Sequence, residues 1–133
     1  MKKMMTELFA LRGLLVGLSL LILFHLLVLM GVVPFEVVWG GKMSEVSQMQ
    51  RLEAVSAFFS LIMLSVVALR ARIIKAPISS RIVTIMLWVM FAFFCLNTLG
   101  NLLSENLLEK LIFAPVTLLL ALFTYRVVRS RSR

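Results

Sequence analysis

The sequence has only one cysteine and one histidine, and this scarcity excludes several kinds of site. Cys95 alone cannot form an intrachain disulfide, and it leaves no Cys-x-x-C motif for thiol redox chemistry. With His25 alone, one chain cannot hold haem between two histidines. The same shortage excludes a zinc site built from cysteine and histidine, so we predict no metal and no cofactor.

Apolar residues, by contrast, are abundant, at 62% of the chain with a mean hydropathy of +1.06. Soluble domains contain about 45–50% apolar residues, so this composition is typical of a membrane protein. A helix needs roughly 20 residues to cross a hydrocarbon core about 30 Å thick. We therefore predict an all-α membrane protein, in which residues 1–133 form a single domain. Its four-helix bundle would have transmembrane spans over about 13–33, 50–70, 82–102 and 106–125.

Lysine and arginine outnumber the acidic residues by 14 to six, and they are distributed unevenly between the two sides of the bundle. Eleven of the 14 flank the spans on the side that holds both termini and the middle loop. The positive-inside rule places this side, and hence the N and C termini, in the cytoplasm. Such residues usually meet anionic headgroups, and no aromatic residues interleave with the arginines after Tyr125 to stack on bases. We expect the lipid bilayer as a partner and no nucleic acid.

Polar residues inside the four spans concentrate in the half away from the cytoplasm. In the inner half, only hydroxyl residues interrupt the apolar sequence, and their side chains can bond carbonyls of their own helix. These are Ser19, Ser65, Thr84 and Thr124. In the outer half, Glu53, Ser56 and Ser60 share one helical face, and Asn97 and Asn101 share another. Because a polar side chain facing lipid is costly, these faces should turn toward the bundle interior or a wet cavity.

His25 is the ionisable residue set deepest in an apolar stretch, about 18 Å from the cytoplasmic boundary by helix rise. It could pack inside the bundle, hydrogen-bonded to Asn97 or a serine, or it could grip a ligand or relay a proton. Glu53 and Glu109 have an alternative as well, since they could be interfacial residues whose side chains reach water. Asn97 and Asn101 could simply bond neighbouring helices together.

Helix-breaking residues and the longest loop supply further expectations. Pro115 should kink the fourth span, because it removes a hydrogen bond to the carbonyl of Leu111. The Gly13-x-x-x-Gly17 motif indicates a close helix approach, within the bundle or across a homodimer. In the apolar loop after the first span, Glu36 and Trp39 would face the polar cluster if the loop folds over it.

Three stretches carry a resemblance to a family. Pro34-Phe35-Glu36-Val37-Val38-Trp39-Gly40-Gly41-Lys42, Glu53-Ala54-Val55-Ser56 and Asn97-Thr98-Leu99-Gly100-Asn101 resemble a group of small bacterial four-span proteins with no assigned function. The resemblance covers most of the chain by layout and implies a multi-pass protein of the bacterial plasma membrane. It brings no known site with it.

These observations leave three classes of function. The first is a protein that binds or moves a small amphipathic molecule or lipid in a polar vestibule open to the outside. The second is a structural or accessory subunit whose polar residues only hold the helices together, and the third is a membrane enzyme using Glu/His acid–base chemistry. The residues expected to line the vestibule are His25, Glu36, Trp39, Glu53, Ser56, Asn97, Asn101 and Glu109.

Overall fold

The computed structural model describes residues 2–34 and 45–130, with side chains from residue 6 onward. Within these ranges it contains four α-helices and no strand. They are α1 (Lys2–Leu29), α2 (Val46–Arg70), α3 (Ser80–Leu103) and α4 (Ala114–Arg129), the last preceded by a π-helical turn, Glu109–Phe113. All four are long and apolar enough to cross a membrane, if the π-helical turn is counted with α4. The predicted all-α class with four membrane-length helices is confirmed.

The helices extend beyond the predicted spans at the ends rich in lysine and arginine. α1 begins at Lys2 rather than near residue 13, and α4 continues to Arg129 rather than ending near residue 125. The difference arises because the predicted windows followed hydropathy, whereas a helix ends where its backbone hydrogen bonds end. α1 ends in a Schellman motif, in which Gly31 has a φ of 77° and Val32 N–H donates to the carbonyl of Leu27.

α2 ends in the same motif but with an unusual residue at the left-handed position. Arg72 has a φ of 59°, and Ile73 N–H donates to the carbonyl of Ala68. Glycine is the usual residue at this position, since left-handed backbone costs other residues roughly 1–2 kcal/mol. The fold therefore keeps an arginine where the local backbone favours glycine.

Successive helices run antiparallel around the bundle. Arg70 at the end of α2 contacts Glu7 near the start of α1 and Ser130 just after α4, so these helix ends lie together with the start of α3. We call this the basic end, and the opposite one the far end. α1 packs against α2 and α4, and α4 packs against α3, whereas contact between α2 and α3 is limited.

The glycine motif lies between α1 and α4 of the same chain. A Cβ added at Gly13 would collide with the ring of Phe123, and one added at Gly17 would lie 2.8 Å from Leu120 Cδ2. The absence of a side chain at these two positions lets Phe123 and Leu120 of α4 pack directly against α1. The predicted close approach is confirmed, and it takes place inside the bundle.

The interior is apolar and the outer surface is apolar as well. Leu14, Leu18, Leu87 and Val127 are fully buried, yet only 22–33% of the residues in the most apolar stretch of each helix are buried. Large apolar side chains such as Leu96, at 67% exposed, cover the remainder. A surface of this kind is compatible with lipid as the surrounding medium.

The four hydroxyl residues of the inner half behave as predicted. Each donates to the carbonyl four residues earlier in its own helix, over 2.6–2.9 Å. The acceptors are Leu15, Leu61, Ser80 and Leu120. These hydroxyls therefore need no partner from another helix.

The backbone around Pro115 adopts a wider turn. Ala114 N–H donates to the carbonyl of Glu109, five residues earlier, which defines the π-helical turn. Pro115 has no N–H to return to Leu111, and it is the second residue of α4. The lost hydrogen bond expected from sequence is accommodated by this change of helix type.

Candidate functional site

The central feature of the far end is a contact between His25 and Glu53. His25 Nδ1 lies 2.7 Å from Glu53 Oε2 and joins α1 to α2. Glu53 is only 1% exposed, and the His25 side chain is 14% exposed. Glu53 and Ser60 are both buried on the inward face of α2, which confirms that the predicted polar face turns inward.

The two nitrogens of His25 have different environments. Nδ1 is engaged with the carboxylate, whereas Nε2 makes no hydrogen bond to any residue in the described ranges. A carboxylate only accepts hydrogen bonds, so with Glu53 ionised the Nδ1 proton points at Oε2. A neutral imidazole held in this way presents Nε2 as an acceptor, and a protonated one presents it as a donor.

Aromatic rings hold α1 in place beside this pair. The Phe24 ring centroid lies 6.1 Å from that of His25 and 5.0 Å from that of Phe113, in the π-helical turn. Such ring pairs add about 0.5–1.5 kcal/mol beyond their buried area. α1 is therefore fixed at this level both by Glu53 of α2 and by the turn that precedes α4.

Three other predicted site residues, Ser56, Asn97 and Asn101, make hydrogen bonds within their own helices or at a helix end. Asn97 is partly buried, and its Nδ2 donates to the carbonyl of Phe93 over 2.9 Å, within its own helix. Ser56 and Asn101 are partly buried, and each uses its backbone carbonyl as an acceptor. Glu109 is partly buried and begins the π-helical turn. Glu36 and Trp39 lie in 35–44, outside the described residues.

Sequence reasoning missed the polar contact that does join α3 to α4. Thr98 Oγ1 lies 3.0 Å from Thr117 Oγ1, and both side chains are buried. The inward face of α3 contains Phe94 and Thr98, while Asn97 lies at its edge. The i, i+4 spacing of Thr98 from Phe94, and of Phe94 from Met90, was the available signal.

A second missed contact lies at the basic end. Arg70 Nη2 lies 3.2 Å from Glu7 Oε1, and it also donates to Ser130 O at 2.9 Å, Ser130 Oγ at 3.1 Å and Val127 O at 3.3 Å. Arg70 thus links α2 to α1 and to the end of α4. Glu7 is the one acidic residue on the side counted as basic, and this was the signal in the sequence.

A cavity of about 820 Å³ opens at this basic end, beside Arg70 and Glu7. It lies at the opposite end of the bundle from His25 and Glu53, and hence away from the predicted vestibule. Among the described residues, no group of three or more His, Cys, Asp or Glu side chains could hold a metal ion.

The structure places the chain in a class of protein, the all-helical proteins with four helices apolar enough to span a membrane. Its distinguishing feature is a buried imidazole–carboxylate pair. No model of a protein family, no curated protein and no solved structure matches this chain. The resemblance to small bacterial four-span proteins stays a prediction.

Proposed function

We propose that this chain is a multi-pass protein of the bacterial plasma membrane, with both termini cytoplasmic, that binds a small amphipathic molecule or lipid near His25. The observation that carries the proposal is the asymmetry of the imidazole. Glu53 engages Nδ1 at 2.7 Å, while Nε2 has no partner among the described residues. An ionisable residue inside a membrane span is a candidate functional site because burying it is costly.

Glu53 acts as the positioning residue in this proposal. A carboxylate that fixes one ring nitrogen sets the direction in which the other nitrogen points, as it does for histidines that bind ligands in other proteins. His25 would make the contact with the polar group of the ligand. The partly buried apolar side chains on the same face of α1, Ile22 and Leu29, would meet its apolar part.

Binding is better supported than movement across the membrane. A conduction path would need polar groups in the half of the bundle toward the basic end. The hydroxyls there are bonded to their own helices, and the core beside them consists of residues such as Leu14 and Leu87. Transport would therefore require a partner or a large rearrangement.

The structural or accessory role remains the alternative, and it has support of its own. Thr98 and Thr117 bond to each other and to their own helices, and Asn97 bonds to Phe93. If the His25–Glu53 contact serves the same purpose, the far end only holds helices together. Acid–base catalysis is the third proposal, since an oriented imidazole is also a general base.

Thermal unfolding of the detergent-purified protein against a panel of lipids and small amphiphiles tests the proposal. A ligand that binds only the folded state, at a hundred times its Kd, adds about 2.7 kcal/mol of stability. We expect at least one compound to stabilise the wild type and to lose its effect in His25→Ala, with Ser19→Ala as the matched control. If no compound shifts the wild type and His25→Ala is strongly destabilised, the structural role replaces binding.

A further inference from the structure

The cavity at the basic end is a cleft bounded by three helices and a loop. Its walls are the first turns of α1, the end of α2, the connection at 71–79 and the first turn of α3. α2 and α3 make limited contact with each other, so the bundle is least tightly closed on this side. A volume of about 820 Å³ falls within the range of ligand sites, roughly 300–1,000 Å³.

The lining combines positive charge with apolar surface. Arg70, Arg72 and Lys75 line the cleft against one acidic residue, Glu7, which gives a formal net charge of +2. Glu7 is already engaged by Arg70 at 3.2 Å, so its charge is largely offset. The apolar lining residues Leu8, Ile74 and Ile78 are 51%, 44% and 41% exposed. A ligand that fits both features carries a negative group and an apolar chain.

Arg70 provides a second, independent observation. Its side chain is only 9% exposed, and its Nε is buried with no hydrogen-bond partner among the described residues, although Nη2 has several. Buried hydrogen-bond donors in folded proteins are nearly always paired. A buried donor without a partner is therefore a sign that a ligand, water or ion can bind nearby. An oxygen-rich anion in the cleft would add acceptors beside the guanidinium, and a bond to Nε itself would require the Arg70 side chain to shift.

Arg72 provides a third observation. It occupies the left-handed position of the Schellman motif, where glycine would be favoured, and its side chain lines the cleft. Residues held in an unfavourable backbone conformation cluster at binding and switch sites. Arg72 therefore adds a positive charge to the lining of the cleft.

We propose that the basic-end cleft binds the phosphate headgroup of an anionic membrane lipid, with one acyl chain along Leu8, Ile74 and Ile78. The cations of the cleft would hold the phosphate, and the exposed apolar side chains connect the cleft to the apolar outer surface. A lipid fits better than free phosphate because free phosphate has no use for the apolar lining. The site is separate from His25, so it stands or falls independently of the proposed function.

The test compares lipid binding by the intact protein in a neutral detergent. Native mass spectrometry and thermal unfolding would be measured with phosphatidylglycerol, with phosphatidylcholine of the same acyl chains, and with inorganic phosphate. The cleft variants are Lys75→Gln and Arg72→Gly, and the controls are Arg81→Gln and Arg129→Gln. Each of the four removes one positive charge, but Arg81 and Arg129 are exposed and do not line the cleft.

We expect the wild type to retain one phosphatidylglycerol and to be stabilised by it, with phosphatidylcholine at least tenfold weaker. Lys75→Gln and Arg72→Gly should weaken phosphatidylglycerol about tenfold, and the controls should leave it unchanged. Arg72→Gly also changes the left-handed position of the α2 Schellman motif, so its unfolding temperature is measured without lipid too, and the effect of the lipid is the difference between the two values. Equal binding of the two lipids, an equal loss in the controls, or full stabilisation by inorganic phosphate would each overturn the proposal.

Discussion

His25 and Glu53 lie 28 residues apart in the sequence and 2.7 Å apart in the structure, where they join α1 to α2 within an apolar bundle. The Glu53 carboxylate is almost completely buried, and a buried carboxylate without hydrogen-bond partners would destabilise the fold. The contact has two consequences: it holds the helix pair together, and it orients the imidazole.

The energetic coupling of the pair can be measured with a double-mutant cycle. Glu53→Ala, His25→Ala and the double variant would be compared with the wild type by unfolding in detergent. We expect a coupling free energy of about 0.5–3 kcal/mol, the range found for residues in contact. Glu53→Gln should lose less than Glu53→Ala, because the amide can still bond Nδ1. Additive effects of the single variants would show that the two side chains do not interact.

The approach of α1 to α4 should not tolerate a side chain at its glycines. Gly13→Ala places a methyl group against the Phe123 ring, and Gly17→Ala places one 2.8 Å from Leu120 Cδ2. We expect Gly13→Ala to destabilise the bundle by about 1–3 kcal/mol, as overpacking does in well-packed cores, and Gly17→Ala to cost less because the end of the Leu120 side chain can rotate away. Gly100→Ala is the control, since no atom lies within 4 Å of an added Cβ there. If Gly100→Ala lowered the free energy of unfolding as much as Gly13→Ala, the close packing of α1 against α4 would not be the cause.

Arg70 should matter more than any other basic residue of the described helices. Arg70→Gln removes the link to Glu7, Val127 and Ser130, which we expect to cost about 1–3 kcal/mol in the free energy of unfolding. Arg70→Lys keeps the charge but loses the planar fork, so it should fall between the wild type and Arg70→Gln. Arg81→Gln, at an exposed position, should leave the unfolding temperature unchanged. An equal loss of stability in Arg70→Gln and Arg81→Gln would mean that net charge, and not the contacts of Arg70, stabilises the fold.

The proposed orientation is open to a labelling experiment. In a Cys95→Ala background, Ala76→Cys reports on the connection between α2 and α3, and Glu105→Cys reports on the segment before the π-helical turn; both positions are exposed. A membrane-impermeant maleimide should label Glu105→Cys in intact cells, and Ala76→Cys only after lysis. Labelling of Ala76→Cys in intact cells, and of Glu105→Cys only after lysis, would show the opposite orientation in the membrane.

Helix number and helix type followed from the sequence because hydropathy is a property of long segments. Four apolar blocks gave four membrane-length helices, and the pattern of Glu53 and Ser60 correctly placed one polar face inside. The helix ends differed, since they depend on local capping. The Schellman motif around Gly31 ends α1 before the apolar sequence itself ends.

The partners of polar residues could not be predicted in the same way. The sequence left Asn97, a serine, Glu53 and Glu109 open as partners for His25, and the structure pairs it with Glu53, because pairing depends on the rotation of each helix about its axis. For α3, that rotation places Thr98 inside and Asn97 at the edge. The Arg70–Glu7 contact joins residues 63 positions apart, which no local pattern can reveal.

The most direct test of the central claim uses the fact that His25 is the single histidine of the chain. Labelling histidine with ¹⁵N gives one pair of imidazole signals, so the signals of Nδ1 and Nε2 cannot be confused with those of another residue. We predict a proton on Nδ1 that depends on Glu53, and a shift of the Nε2 signal when a stabilising amphiphile is added. If such a compound raises the unfolding temperature while the Nε2 signal stays in place, ligand binding at His25 is contradicted.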